Sequence, residues 1–154
     1  MDGIDRKILE ELQRDANLSV RDLAERAGTS EPTCWRRIRA LEQAGVIKAR
    51  VAIVDPEKID LGLTGFILVR TDKHNEAWTK HFAEGVARIP EVVEFHRMTG
   101  DVDYLLKIVA PDIKGYDAVY KRLIRVADLS DVSASFSMET LKATTVLPLT
   151  YVTE

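Results

Sequence analysis

Helical periodicity opens the chain. Ile4, Ile8 and Leu12 recur at intervals of four residues, which predicts a helix over residues 3–14 with its apolar side facing a core. Asp2 stands immediately before this stretch, at the position where an aspartate caps the free N–H groups of a first turn. The pattern therefore marks both the start of this helix and the face that it buries.

Two further helices are predicted on either side of the turn at residues 28–30. The first begins after Ser19, a capping residue, and ends where Gly28 opens the turn. In the second, Cys34, Ile38 and Leu41 share one face. Short helices joined by a glycine-containing turn of three or four residues are typical of a helix-turn-helix.

The pattern then changes to β-branched residues. Residues 46–54 predict a strand, which Asp55 and Pro56 interrupt. We place the domain boundary here, with a winged-helix-like helix-turn-helix domain over 1–54, a linker over 55–63 and a second domain over 64–154. About 50 residues make a small domain, so support from the second domain or from a partner chain is expected.

The second domain alternates between period-2 and helical patterns. Strands are predicted at 64–71, 92–98, 104–109 and 132–142, and helices at 75–88 and 113–126. The order βαββαβ is that of a ferredoxin-like fold, so the chain as a whole is of the α+β class. Its antiparallel sheet has helices on one face only, which predicts self-association through the other.

Charge is distributed unevenly along the chain. The formal net charge is −3, which taken alone argues against a nucleic-acid partner. Residues 31–50, however, carry five basic and two acidic side chains. Such a cluster is either a solvated helix face or an electrostatic contact surface.

The basic cluster lies mostly on the third helix. On a helical wheel, the face opposite Cys34 and Ile38 has three residues at its centre and three at its sides. The central residues are Pro32, Arg36 and Arg39, and the flanking residues are Thr33, Trp35 and Arg37. A helix with small residues at its start and outward arginines suits the major groove, where arginine bonds guanine edges or phosphates. The helix-turn-helix and this face together predict DNA binding.

Several of these residues have alternative roles. Arg39 has Glu42 three residues away, so it can form a salt bridge along the helix. Trp35 can pack on the flanking strand or on the DNA backbone. Cys34 faces inward, which favours an inert buried thiol over a redox sensor.

Composition excludes other classes of protein. The single cysteine permits no intramolecular disulfide, and His74, His81 and His96 lack metal-ligand spacing. No apolar run approaches the roughly 20 residues of a membrane span. The chain opens with acidic and polar residues, where a signal peptide is basic and then apolar, so we expect a cytoplasmic protein that has no membrane partner. The sequence offers no nucleophile–base pair, metal cluster or phosphate-binding loop, so we expect that the protein is not an enzyme.

Four motifs extend from the beginning to the end of the chain: Asp2-x-x-Asp5-Arg6-Lys7-Ile8-Leu9, Ser30-x-x-x-Cys34-x-Arg36-Arg37-Ile38, Thr99-Gly100-Asp101-x-Asp103-Tyr104 and Lys142-x-Thr144-x-x-Leu147-Pro148-Leu149. Together they resemble the Lrp/AsnC regulators, also called feast/famine regulatory proteins. The resemblance implies double-stranded DNA as a partner, dimers that often assemble into tetramers, octamers or similar rings, and an amino acid or related metabolite as effector. From the residues themselves we expect no cofactor and no metal.

The resemblance also assigns DNA-contacting residues. It places the third helix in the major groove, and the residues carried over are Ser30, Pro32, Thr33, Arg36, Arg37 and Arg39. We assign Arg37 to phosphate and Arg36 to base edges or phosphate. A nucleoid-organising protein with little effector response would share this surface and remains the alternative function.

The loop at residues 99–103 is either a simple hairpin turn or an effector site. A carboxylate there suits the ammonium group of an amino acid, and backbone N–H groups suit its carboxylate. The candidate residues are Met98, Thr99, Gly100, Asp101, Asp103, Tyr104, Ser133, Ser135 and Ser137. Asp101 and Asp103 also resemble part of a divalent cation site, but no third ligand is evident.

Overall fold

The computed structural model describes residues 1–152, which form two compact units. The first unit contains residues 1–53 and the chain from Leu141 onward. The second unit contains residues 54–140. The closing segment, which the sequence analysis assigned to the second domain, thus groups with the N-terminal helices.

Three helices form the N-terminal unit: α1 (Gly3–Arg14), α2 (Val20–Ala27) and α3 (Glu31–Gln43). Each follows a side chain that accepts hydrogen bonds from the first turn: Asp2, Ser19 and Ser30 respectively. Gly28 ends α2 with φ of 71°, a conformation that favours glycine, and so allows the turn into α3. The helix-turn-helix prediction is confirmed.

The core of this unit contains the predicted inward faces. Ile8, Leu23 and Cys34 are almost completely buried, and Ile38 and Leu41 pack in the same cluster. Burial raises the pKa of the Cys34 thiol, as expected of a thiol with a packing role.

The closing segment of the chain is tied to α1. The side-chain amide of Gln13 donates to the carbonyl of Leu147 at 3.2 Å and accepts from its N–H at 2.6 Å. The Arg6 guanidinium donates to the carbonyl of Val152, and Leu149 packs against the helical core. This segment therefore supplies some of the support that so small a domain needs.

The predicted strand at residues 46–54 is wrong. The chain from Lys48 to Asp55 has no regular secondary structure, and Val51 and Ile53 are both 75% exposed. A strand requires a hydrogen-bonded neighbour, and none of residues 1–152 pairs with this segment. A short 3-10 turn, Pro56–Ile59, follows in the predicted linker.

The second unit has the predicted order βαββαβ: β1 (Leu63–Arg70), α4 (Glu76–Val86), β2 (Val92–Arg97), β3 (Tyr104–Ala110), α5 (Ile113–Val126) and β4 (Asp131–Phe136). The sheet order is β2-β3-β1-β4, with every neighbouring pair antiparallel. The ferredoxin-like fold is therefore confirmed. β4 ends at Phe136, short of residue 142. The register places Leu63, the first residue of β1, opposite residue 138, so residues 139–142 have no partner on β1.

The two faces of this sheet differ. Ile67, Val69 and Leu106 are fully buried in the cluster that contains residues of α4 and α5. On the opposite face, Phe66 is 37% exposed and Leu68 is half-buried. The second unit thus leaves an apolar face uncovered by its own helices.

Candidate functional site

The outer face of α3 carries the basic side chains that the sequence analysis placed there. Pro32, Arg36 and Arg39 are exposed, opposite the buried Cys34 and Ile38. Within residues 1–152, Arg36 makes no ion pair and no side-chain hydrogen bond. Its guanidinium is thus free to contact an external anion or a guanine edge.

Arg39 lies between two neighbours on its own helix. Its guanidinium donates to Glu42 at 3.4 Å, which is the salt bridge that the spacing predicted. The same guanidinium lies 5.6 Å from the centre of the Trp35 ring, a cation–π distance. Glu42 also accepts from Arg50 at 3.1 Å, so it is shared between two arginines.

Arg37 is directed towards α1 rather than outward. Its Nη1 donates to Asp2 at 2.6 Å and to Asp5 at 2.9 Å. These two hydrogen bonds, that of Asp5 being the larger cause, raise the pKa of Arg37 further above its usual value. In this structure Arg37 joins α3 to α1, and it does not lie with Arg36 and Arg39 on the outer face.

Replacement of Arg37 by alanine is expected to lower the free energy of unfolding by about 1 kcal/mol, because two partly exposed ion pairs are lost. Arg36→Ala removes the same charge from an exposed side chain and serves as the matched control. Denaturant unfolding followed by circular dichroism measures both. Equal stability of the two variants would contradict the joining role of Arg37.

The effect of Arg37 should depend on pH. The backbone N–H of Asp5 and then the Arg37 guanidinium lower the pKa of Asp2 in the folded state. A lowered folded pKa contributes stability above the unfolded value of 3.8, and that contribution is lost as the pH falls through the folded value. The stability difference between the wild type and Arg37→Ala is therefore expected at neutral pH and should shrink in acid.

Ser30 and Thr33 hold the start of α3. The Ser30 hydroxyl donates to the Thr33 hydroxyl at 3.0 Å and accepts from the Thr33 N–H at 3.4 Å. Ser30 is exposed and Thr33 is half-buried. Ser30 precedes α3 and Thr33 lies in its first turn beside Pro32, so both predicted residues support the start of this helix.

In the second unit, the loop between β2 and β3 is held by Asp103. Its backbone carbonyl accepts from the N–H of Met98, and its N–H donates to the carbonyl of Val69 at 3.0 Å. Its carboxylate accepts from the N–H of Thr71 at 2.8 Å. Asp103 is therefore engaged in supporting the loop.

Asp101 differs from Asp103 in having an available carboxylate. Its backbone carbonyl accepts from Arg70 Nε at 2.8 Å, which fixes the loop against β1. Its carboxylate is exposed and makes no hydrogen bond or ion pair among residues 1–152. The neighbouring Gly100 has φ of 104°, which favours glycine. Of the two loop aspartates, Asp101 is therefore the one whose carboxylate has no partner among residues 1–152.

The other loop candidates lie in contrasting surroundings. Met98, Thr99 and Gly100 are exposed beside Asp101. Tyr104 is only 5% exposed, and its hydroxyl lies 3.3 Å from that of Thr79. The Tyr104 ring packs in the core of the second unit, so it does not line the exposed surface of the loop.

The three serines of β4 are spread along the open face. Ser133 pairs with Leu68, Ser135 pairs with Phe66, and the N–H of Ser137 donates to the carbonyl of Thr64. The loop, in contrast, adjoins Val69. At about 3.4 Å per residue, Ser137 lies roughly 17 Å along the sheet from the loop. One chain therefore brings Ser133 nearest to the loop and does not gather all three serines there.

Comparison with known proteins identifies both units. The family profile described as winged helix-turn-helix DNA-binding matches residues 1–48. The profile described as Lrp/AsnC ligand binding domain matches residues 64–147, more than half of the chain. The chain belongs to the Lrp/AsnC family.

Individual proteins are similar to this chain over nearly all of their length. The glutamate uptake regulatory protein of Zymomonas mobilis is 50% identical over 149 residues, which cover 97% of this chain and 91% of that protein. The crystal structure of an AsnC family transcriptional regulator from Agrobacterium tumefaciens has a TM-score of 0.96 at 53% identity and covers 99% of this chain and 100% of its own. A Neisseria meningitidis transcriptional regulator in complex with L-Met has a TM-score of 0.91 at 36% identity, with 97% of each chain covered.

Two further observations concern the Lrp/AsnC chain itself. Within residues 1–152 no helix is long and apolar enough to cross a membrane. Trp35 lies exposed beside the DNA-contacting candidates, although the sequence analysis left its role open. The contact between Trp35 and Arg39 could have been predicted from their spacing of four residues, because side chains at i and i+4 are neighbours on a helix.

Proposed function

We propose that this protein is a sequence-specific transcriptional regulator that inserts α3 into the major groove of double-stranded DNA. The observation that carries the proposal is the exposed position of Arg36 and Arg39 on one face of a capped helix. Although the net charge of the chain is −3, the arginines of this helix make the charge on its surface locally positive. Arginine on such a helix can form bidentate contacts with guanine or grip phosphates.

We further propose that an amino acid or related metabolite changes its DNA affinity or its assembly. The support is the exposed carboxylate of Asp101 next to Gly100, together with the match to the Lrp/AsnC ligand binding domain. The similar transcriptional regulator from Neisseria meningitidis forms a complex with L-Met, which supports an amino acid as the ligand. Coupling between such sites is typically about 1–3 kcal/mol.

The test uses the full-length protein with duplexes selected from a random pool and with DNA from upstream of its own gene. Fluorescence anisotropy measures DNA affinity, and thermal shift screens the twenty amino acids for binding. Tight binding to selected DNA, with at least one amino acid changing affinity or particle size, is expected. DNA binding without any response to an amino acid would favour a nucleoid-organising role, and absence of DNA binding would refute the proposal.

Asp101→Asn is expected to weaken effector binding at least about tenfold, because a charge-assisted hydrogen bond is worth about 1.5–3 kcal/mol. Its melting temperature without effector should stay at the wild-type value. Asp103→Asn is the matched comparison, and it should lower the melting temperature because it weakens the bond from the Thr71 N–H. Isothermal titration with the amino acid found in the screen measures affinity. Unchanged affinity in Asp101→Asn would remove Asp101 from the site.

We also propose that a second copy of the chain covers the open face of the sheet, on which Leu68 lies beside the exposed Phe66. Leu68→Glu places a charge there and is expected to raise the dissociation constant of the dimer at least about tenfold, because a buried unpaired charge costs several kcal/mol. Ala77→Glu adds the same charge on exposed α4 and is the control. Analytical ultracentrifugation measures both, and a Leu68→Glu dimer of wild-type strength would contradict the proposed interface.

A further inference from the structure

A shallow apolar groove lies beside the outer face of α3. It has a volume of about 600 Å³ and is lined by Val20, Glu31, Pro32 and Trp35. Val20 is the first residue of α2, and Glu31 is the first residue of α3. The groove therefore lies where the two helices of the helix-turn-helix begin.

Trp35 is the unusual member of this groove. It is 55% exposed, whereas a tryptophan normally buries most of its large surface. The neighbours that the structure gives it are the Arg39 guanidinium and the residues of the groove. The flanking segment on which it was expected to pack forms no strand. A large apolar surface is thus presented to solvent next to two outward arginines.

We propose that this groove receives the 5-methyl group of a thymine in the major groove, and that the Trp35 ring holds Arg39 for an adjacent phosphate. The inference deepens the proposed DNA-binding function and rests on it. Trp35 is thereby a specificity-determining residue as well as a positioning residue for Arg39.

The chemistry of the lining favours this occupant. In the major groove the thymine methyl is the base-edge group that is read by apolar contact. Val20, Pro32 and Trp35 provide apolar surface, while the Glu31 carboxylate disfavours a phosphate inside the groove itself. Arg39, whose guanidinium lies 5.6 Å from the centre of the Trp35 ring and does not line the groove, supplies the positive charge that a phosphate requires.

The position of the groove agrees with the docking geometry of helix-turn-helix domains. The N-terminal residues of the recognition helix contact base edges, while the preceding helix crosses the sugar–phosphate backbone. A groove formed by the first residue of α2 and the first two turns of α3 therefore faces the border between bases and backbone. Both a methyl group and a phosphate are within reach at that border.

The decisive experiment replaces each thymine of the selected duplex in turn by deoxyuridine, which lacks only the 5-methyl group. With the wild-type protein we expect one thymine per half-site whose replacement weakens binding about fourfold, the value of one buried methyl. With Trp35→Ala the affinity should already be lower, and replacement of that thymine should have no further effect. Trp35→Phe retains part of the ring surface and should be intermediate.

Fluorescence supplies a second, independent measurement. The chain has two tryptophans, and Trp78 is half-buried in the second unit. The Trp78→Phe variant leaves Trp35 as the only tryptophan, and its emission should shift to shorter wavelength on DNA binding as the ring is covered. Trp35→Phe, which keeps Trp78, should show no comparable shift.

The outcomes separate the two proposals. If the wild type binds no DNA, the proposed function itself fails. If the wild type binds and Trp35→Ala binds equally well, the inference about Trp35 fails while the proposed function stands. A loss in Trp35→Ala that leaves every deoxyuridine effect unchanged overturns the assignment of the groove to a methyl group.

Discussion

The double variant Arg36→Ala plus Arg39→Ala is expected to bind selected DNA at least about 30-fold more weakly than the wild type. An arginine contact to a base edge is worth about 1–3 kcal/mol and a charge-assisted hydrogen bond to a phosphate about 1.5–3 kcal/mol, so the loss of both arginines amounts to about 2–6 kcal/mol per bound protomer. Both side chains are exposed on the outer face of α3, and neither contributes to the core of the N-terminal unit. The variant should therefore fold normally while losing affinity.

Salt dependence decides what each arginine contacts. Loss of one phosphate contact reduces the slope of log affinity against log salt by about 0.9, whereas loss of a base contact leaves this slope largely unchanged. Measured separately, Arg39→Ala should reduce the slope, because its position beside Trp35 suits a phosphate. The same measurement on Arg36→Ala assigns Arg36 to base edges or to phosphate.

A matched control removes two arginines elsewhere in the same unit. Arg14 and Arg26 both form ion pairs with Glu11, so neither is available to DNA in the way that Arg36 is. Arg14→Ala plus Arg26→Ala lowers the net charge by the same amount and should change affinity only slightly. If this control loses as much affinity as the α3 variant, binding depends on overall charge and the assignment of α3 to the groove is wrong.

The N-terminal unit was largely predictable because its signals are local. Asp2, Ser19 and Ser30 cap the helices that they precede, since capping involves only the next three residues. The burial of Cys34 and Ile38 was predictable because helical periodicity places both side chains on the same face. These features need no knowledge of distant parts of the chain.

Contacts between distant segments were not predictable in the same way. Arg37 was assigned to phosphate from its angle on the helix, but its partners Asp2 and Asp5 lie more than thirty residues earlier in the chain. The attachment of Leu147 to Gln13 spans 134 residues and has no local signal. The segment at 46–54 has the composition of a strand without a partner strand, and composition does not reveal whether a partner exists.

The candidate effector site was predicted in outline rather than in detail. Alternation indicated that Ser133 and Ser135 share one face, and the structure places both on the open face. Alternation could not show that the carboxylate of Asp103 accepts a hydrogen bond from the Thr71 N–H. This bond leaves Asp101 as the loop aspartate with an available carboxylate. Tyr104 was placed among the ligand-lining residues because it adjoins the loop, yet strand alternation turns its ring into the core.

The aromatic cluster beneath this loop is where the largest effect on stability is expected. Phe82 is fully buried, with its ring centre 5.2 Å from that of Tyr104, 5.5 Å from that of Phe95 and 5.0 Å from that of Trp78. Phe82→Ala should lower the free energy of unfolding of the second unit by about 3–5 kcal/mol, because it leaves a cavity and removes these ring contacts. That is a large share of the 5–15 kcal/mol that stabilises a typical domain.

Unfolding of the second unit can be measured separately from that of the N-terminal unit. In a Trp35→Phe background the remaining tryptophan is Trp78, which stacks on Phe82 and so reports unfolding of the second unit alone. Ile113→Ala, at an exposed position of α5, is the control and should cost little. Because Tyr104 directly follows Asp103, loss of the Phe82 ring should also loosen the loop and weaken effector binding. A Phe82→Ala variant that unfolds at the wild-type denaturant concentration would contradict the stabilising role of the cluster. A destabilised variant with unchanged effector binding would show that the cluster does not hold the loop in place.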